Sequence, residues 1–476
     1  MVVVSISRRL FAPVDIASLV VFRVCFGLLL AWEVGCYFRH DWIDQQLIRP
    51  AMHFSYFGFD WVEPLPGQAM YAFAAALGVL ALMVAAGAFY RAATAAFAVG
   101  FTYLFLIDQA YYLNHFYLVC LVSLLMIFLP ASRAFSVDAW LRPRSAASVI
   151  PAWPVWLLRA QLAIVYFYAG VAKLNVDWLR GAPMDMWLAK RAQRPLLGPW
   201  LTLDWMPYFF SYGGLLLDLF VVPFLLWRRT RVWAFTLTLL FHLSNSWMFS
   251  IGIFPWFMIA ATTLFFEPDW PRRVGRRLAS MGRRVAGRAG RAAVVEPGGL
   301  AGTQDPRISP LPQPAMARLT VSAVAIYLLV QLVVPLRHHL YPGCVHWTEE
   351  GHRFAWHMKL RSKTAVEASF NVRYTDRDGG RAHWEVKPGQ YLRPWQADKM
   401  VVRPDMVLQF SHFLVEDMRR AGFEDVEVRA NIRASLNGRE PQILVDPDVD
   451  LAAERRSLAA APWIVPLSAG VETASR

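Results

Sequence analysis

The sequence predicts a polytopic α-helical membrane protein of about nine transmembrane helices, followed by a β-rich, sandwich-like domain outside the membrane. Three observations carry this expectation. Apolar stretches long enough to cross a bilayer recur between Asp15 and Phe266, and one more lies between Leu319 and Pro335. Basic residues gather in the gaps between those stretches. Beyond residue 337 the long apolar runs stop and short segments alternate apolar and polar side chains. With 56% hydrophobic and only 17% charged residues, the chain is more apolar than a soluble protein of this length.

The expected spans are 15–37, 67–89, 92–108, 113–130, 151–173, 207–227, 231–248, 251–266 and 317–336. The first is too long for the apolar core of a signal peptide and lacks a small-residue cleavage site, so it reads as a span. The basic clusters set orientation: Arg8 and Arg9; Arg91; Arg133, Arg142 and Arg144; Arg228, Arg229 and Arg231; and the run from Arg272 to Arg291. With nine spans all of them fall on one side, which the positive-inside rule makes cytoplasmic. The expected organisation is a membrane domain over 1–270, a flexible basic cytoplasmic linker over 271–316, a last span over 317–336, and an extracytoplasmic domain over 337–476. The net charge of +13 is then a property of loops facing anionic lipid, and nucleic acid is not an expected partner. In the outer domain, Val366 to Tyr374 and Val426 to Leu436 read as half-buried strands, bounded by the turns Asp378-Gly379-Gly380 and Asn437-Gly438. Met406 to Arg420 has helical spacing.

Ionisable residues inside spans are costly and face the protein interior. Those of interest are Arg23, Glu33, His115, Lys173, Asp218 and His242. Lys173 closes the fifth span at the outer rim. It is either a lysine snorkelling to headgroups or one desolvated in an apolar pocket, usable as a base near neutral pH. His115 opens the fourth span at the same level, either as a hydrogen-bonded structural group or as part of an outward-opening pocket with Lys173 and the turn Asn245-Ser246. Arg23 either pairs with Glu33 or sits near the inner surface. Gly213-Gly214 marks close helix approach. Cys25 and Cys120 read as small buried hydrophobes, and a disulfide between Cys36 and Cys344 is left open. No metal-ligand spacing, phosphate loop, Gly-x-Ser-x-Gly or His-Glu-x-x-His motif is present, so hydrolase and metalloprotease chemistry has no support.

Taken together, several segments resemble the vitamin K-dependent γ-glutamyl carboxylase family and its bacterial relatives, with their HTTM-type membrane domain. They are Tyr168-Ala169-Gly170-Val171-Ala172-Lys173-Leu174-Asn175-Val176-Asp177-Trp178; Asn114-His115-Phe116-Tyr117; Ser136-Val137-Asp138; and Gly213-Gly214-Leu215-Leu216-Leu217-Asp218. His242 to Asn245, Met248 to Gly252 and Pro268-Asp269-Trp270-Pro271 follow in order. In the outer domain come Trp356 with Met358, Tyr374 with Asp378-Gly379, Pro388-Gly389, and Asp446 to Asp450. The chain departs from the animal members at His357, Lys359 and Arg361, where those carry an acidic residue, a methionine and a histidine.

The resemblance implies a peptidyl-glutamate carboxylase. In it, Lys173 as a free amine deprotonates vitamin K hydroquinone, and O2 converts the anion into an alkoxide base. That base removes a γ proton from glutamate, CO2 adds to the carbanion, and the cofactor leaves as the 2,3-epoxide. His115 is the expected proton donor beside the carbanion. Asn114, Tyr168, His242 and Asn245 are expected cofactor contacts, and His339, Trp356, Met358 and Arg393 expected substrate contacts. Menaquinol is an alternative cofactor, and no metal is implied. The partners implied are a glutamate-containing peptide or protein, membrane lipid and quinone, and a quinone-epoxide reductase. The setting implied is a bacterial inner membrane with the N-terminus cytoplasmic. Two further readings stay open: a quinol epoxidase without protein carboxylation, and a non-enzymatic quinone- or lipid-binding membrane protein.

Overall fold

A computed structural model describes residues 8–193, 198–249, 251–289 and 314–468. The membrane half is built from α1 (Ala17–Arg39), α2 (Gln68–Ala86), α3 (Tyr90–Ile107), α4 (Asn114–Phe128), α5 (Trp153–Val171), α6 (Met206–Leu226), α7 (Arg231–Phe249) and α8 (Phe254–Thr262). After α9 (Trp270–Ala289), α10 (Pro314–Val333) returns to the bundle. Each of the nine expected spans thus coincides with a helix. Among the described residues, six are long and apolar enough to cross a bilayer: α1, α2, α3, α5, α6 and α10. Helices α4 and α8 are apolar but shorter, and α7 dilutes its apolar residues with His242, Ser244, Asn245 and Ser246.

Local chemistry sets the ends of these helices. Gly87, at φ +64, closes α2 in the left-handed region, its N–H donating to the carbonyls of Met83 and Val84. The Asp138 carboxylate accepts from the N–H groups of Phe89 and Tyr90 at 2.8 and 2.9 Å, capping α3 from a distant loop. Helices α1 and α2 touch backbone to backbone at Gly27, where a Cβ would stand 2.5 Å from the Ala85 nitrogen. Arg23 is fully buried and donates to the carbonyls of Ala131, Ala134 and Phe135 at 2.8, 3.4 and 2.5 Å. It therefore staples the turn after α4 and does not pair with Glu33. A two-stranded ribbon, β1 (Pro13–Asp15) with β2 (Val149–Pro151), joins the chain start to α5.

Helix α9 occupies the first part of the expected linker. Arg272 pairs with Asp15 at 2.9 Å, while Val274, Leu278 and Met281 are exposed. Residues 290–313 of that linker lie outside the described residues. All four cysteines are free, so Cys36 and Cys344 do not pair.

The outer domain holds β3 (Lys363–Thr375), β4 (Arg381–Val386), β5 (Glu424–Leu436) and β6 (Gln442–Ile443), in one antiparallel sheet ordered β4-β3-β5-β6. It is not a sandwich. Alternation says that one face of a strand is buried without saying what covers it. Here α11 (Pro404–Arg420) is the cover: its Phe410 and Leu414 share a core with Phe370, Val372, Val428 and Ile432. The domain is docked on the membrane half by specific polar contacts. Gln396 Nε2 donates to Asp108 at 3.2 Å and to the Met52 carbonyl at 2.9 Å. Arg456 grips Ser55 and Asp60.

Candidate functional site

A cavity of about 540 Å³ lies where the two halves meet. Its floor comes from the membrane half: Glu33 on α1, Asn114, His115 and Phe116 on α4, and Phe254 on α8. Asn114 is held from both sides. Its Oδ1 accepts from Tyr112 Oη at 2.9 Å, and its Nδ2 donates to the His357 carbonyl at 3.0 Å. The turn before α8 makes room at Gly252, φ +57, where a Cβ would sit 3.9 Å from both Glu33 Oε2 and His115 Nε2. A carboxylate and an imidazole therefore converge on one small gap.

The roof is the segment from Glu349 to Lys363, and its backbone is under unusual constraint. Glu349, Phe354, Trp356 and Lys359 all hold positive φ between 48° and 65°. Non-glycine residues take that conformation at a cost, and such strain gathers at binding sites. Glu349 clasps the Arg361 guanidinium with both oxygens, with Nε to Oε1 at 2.9 Å, and the same guanidinium meets His352 Nε2. The Lys363 amine donates to the carbonyls of Trp347 and Val402 at 2.5 and 2.8 Å and lies 5.0 Å over the Trp347 ring. Burial pushes Lys363 down to about 7 and Arg403 down to about 10, and it lowers Lys359 and Lys399. Burial also drives His352 and His357 well below the usual histidine range. The imidazoles are thus neutral at neutral pH, and the lining cations Lys359, Lys399 and Arg403 leave the cavity suited to an anionic ligand. The rings of His338, His346 and His352 surround His357 at 4.8–5.5 Å. Even so, among the described residues no group of three His, Cys, Asp or Glu could hold a metal ion.

Lys173 lies just past the end of α5 and is buried. Its ammonium donates to Asp218 Oδ2 at 2.5 Å and to the Ala169 carbonyl at 3.0 Å, and it lies 5.4 Å from the Trp178 ring centroid. Two close approaches make the pair. Gly170 lets α6 come so near that a Cβ would meet the Leu219 nitrogen at 3.0 Å, and Gly214 leaves space filled by Lys173, Trp178 and Phe241. Lys173 is not a snorkelling residue, and it does not line the cavity that His115 lines. From His115, aromatic contacts lead away from the cavity to His242. His115 meets Phe254 at 5.8 Å between centroids, and Phe254 meets His242 at 5.9 Å. His242 Nε2 is 2.9 Å from Tyr166 Oη, and its Nδ1 is buried without a partner.

The remaining sequence candidates scatter. Tyr168 donates its hydroxyl to the Leu332 carbonyl on α10 at 2.5 Å. Asn245 is half-buried on α7. Met358 lines the cavity, whereas Trp356 is buried in the membrane-half core against Tyr117. His339 is exposed and stacks on His338 at 4.0 Å. Arg393 caps the helix Pro394–Met400 and does not line the cavity. Sequence reasoning missed Asp218 as the partner of Lys173, although one acid in an apolar span needs a cation. It also missed Glu33 as a cavity residue, and Glu349 and Lys363, for which no local pattern exists.

Two family models match the chain. The HTTM domain covers residues 11–270, and the vitamin K-dependent gamma-carboxylase lumenal domain covers residues 316–470. No solved structure matches it.

Proposed function

Since the chain belongs to the vitamin K-dependent γ-carboxylase family, we propose that it oxidises vitamin K hydroquinone to the 2,3-epoxide and carboxylates protein glutamate with CO2. The observation that carries this reading is the buried Lys173–Asp218 pair, 2.5 Å apart and sealed by Gly170 and Gly214. A charge pair in apolar surroundings is costly to keep separated. Passing one proton from Nζ to Oδ2 leaves a neutral amine beside a neutral acid, and that amine can accept a proton from an acidic hydroxyl.

The residues present fit a quinol. Asn114 and His115 offer hydrogen-bonding atoms at the edge of a space walled by Phe116, Phe249 and Phe254, and would hold it there, with His242 behind Phe254. When bound, the reduced quinone supplies, with O2, a base stronger than any side chain. Such a base requires protection from water, and the aromatic walls would supply part of it. Lys359 of the roof, with Lys399 and Arg403 beside it, orients the carboxylate of a glutamate side chain, and His115 stands where it can deliver or remove a proton. The same reading has nine spans in a bacterial inner membrane, with the N-terminus cytoplasmic and the outer domain on the far side, and the one-sided distribution of the basic loops supports it. An epoxide product calls for a partner reductase to regenerate the quinol.

The test is purified protein in lipid nanodiscs, given reduced vitamin K, labelled bicarbonate and a glutamate peptide. Epoxide together with fixed label is expected, and Lys173→Ala should abolish both. Epoxide without label would leave a quinol epoxidase. Neither product from the intact protein would overturn the enzymatic reading.

A further inference from the structure

The Lys173 loop is gripped from outside the membrane. Asn175 caps the short helix Val176–Leu179, its Oδ1 accepting from the Trp178 N–H at 2.9 Å. Trp178 packs against the Lys173 ammonium and donates its indole N–H to the Ser211 carbonyl at 2.8 Å. Between them, Asp177 turns its carboxylate towards the outer domain. There it accepts from Asn437 Nδ2 at 2.7 Å and from both Arg439 nitrogens at 2.7 and 2.5 Å.

The Asn437-Gly438-Arg439 turn is also tied to the cavity roof. Asn437 donates its N–H to the Ser362 carbonyl at 2.7 Å, and its Oδ1 accepts from the Ser362 N–H at 2.8 Å. Ser362 stands between Arg361 and Lys363, both of which line the cavity. Asn437 holds φ +52, a conformation that asparagine tolerates better than most residues. Gly438 follows at φ +79, resting near Met186. A single side chain thus ties the cavity roof to the residue four positions after Lys173. Burial alone would raise the Asp177 carboxyl, but the hydrogen bonds from Arg439 and Asn437 hold it below the usual carboxylate range. It is therefore ionised whenever the bidentate clasp is made.

We propose that Asn437 and Arg439 are positioning residues for Lys173: they clamp its loop through Asp177 and couple the anion-binding roof to the alignment of the amine. This rests on the reading that Lys173 is the proton acceptor. The role explains why the outer domain contributes a fork of donors to a membrane-rim loop that carries none of its own cavity lining. It also gives a bound carboxylate a mechanical path to the amine, through Ser362, Asn437, Asp177 and Trp178.

The test compares the full-length protein with Asn437→Gly, Arg439→Ala and Arg439→Lys in nanodiscs. Asn437→Gly keeps the left-handed turn and removes only the side-chain links. Two readouts are taken: quinol oxidation kinetics, and the rate and pH midpoint of Lys173 labelling by reductive methylation, read by mass spectrometry. Asn437→Gly and Arg439→Ala should lower kcat about tenfold with the peptide KM within about twofold, as misplacement of a reacting group does. Both should change Lys173 labelling about threefold or more, and Arg439→Lys should restore part of each effect. If labelling and its midpoint match the intact protein in both variants, the clamp is refuted. If labelling shifts while the intact protein oxidises no quinol, the clamp stands and the proposed reaction falls.

Discussion

Raising the pH through 7 should discharge one wall of the cavity. Lys363 is the group concerned: burial brings it down to about 7, outweighing the nearby Glu349 carboxylate, and its nitrogen donates to two carbonyls. At pH 7 about half of it is free amine, whereas an ordinary lysine is neutral about once in a few thousand molecules, a difference of roughly a thousandfold. Because the folded value lies below the unfolded one, the charged form is lost as pH rises through 7. The cost of burying the charge is relieved over the same rise, so stability climbs from about pH 7 towards 10. One full charge about 6 Å from a carboxylate is worth up to ~3 kcal/mol at an effective dielectric of 20, and partial solvation reduces this. A glutamate peptide should therefore bind about tenfold more weakly at pH 8 than at pH 6. Lys363→Met should flatten that dependence and leave the remaining cations to set a weaker, pH-independent affinity. The assay is competitive amine labelling of each lysine against pH, paired with peptide titration by fluorescence anisotropy. A Lys363 midpoint above about 9, or an unchanged slope in Lys363→Met, would refute the reasoning.

Two further substitutions probe the frame around this site. Glu349→Gln removes the charge clasping Arg361 and leaves a guanidinium uncompensated beside Arg403 and Lys363. Breaking a buried pair on one side costs ~3–5 kcal/mol, so the thermal midpoint in detergent should fall by several degrees. Gly27→Ala drives a methyl into the Ala81–Ala85 backbone. Neither helix can yield locally, so overpacking of at least ~1–3 kcal/mol should show as loss of monodisperse protein on size-exclusion chromatography.

Helix existence in the membrane half was legible because an apolar run of span length has few alternatives in lipid. Each of the nine expected segments is a helix, and the strands at 366–374 and 426–436 extend only a few residues beyond the alternating pattern. What covers the sheet was not legible: the period of β3 and β5 marks a buried face but not whether a second sheet or α11 lies on it. In the site, Lys173 stood out because an ionisable group at a span end is rare. Its counterion could not be read, since Asp218 lies 45 residues away and meets it only through the close approach of α5 and α6. Trp356, in a matching segment, and Arg393 were expected at the substrate, whereas packing sends one into the core and makes the other a helix cap. The cavity's cations come from three separate stretches, 359–363, 399 and 403, and no local pattern announces such a meeting.

Helix α10 has consequences for how the molecule is put together. Tyr327 donates to Gln161 at 2.7 Å and Leu332 accepts from Tyr168, but most of the helix faces away from the bundle. It behaves as a mooring line, and the hull is secured elsewhere, at Asp108, Asp177 and Arg456. A chain severed between 290 and 313 should still reassemble from its two pieces when they are made together, because recognition resides in the seam and not in the covalent thread.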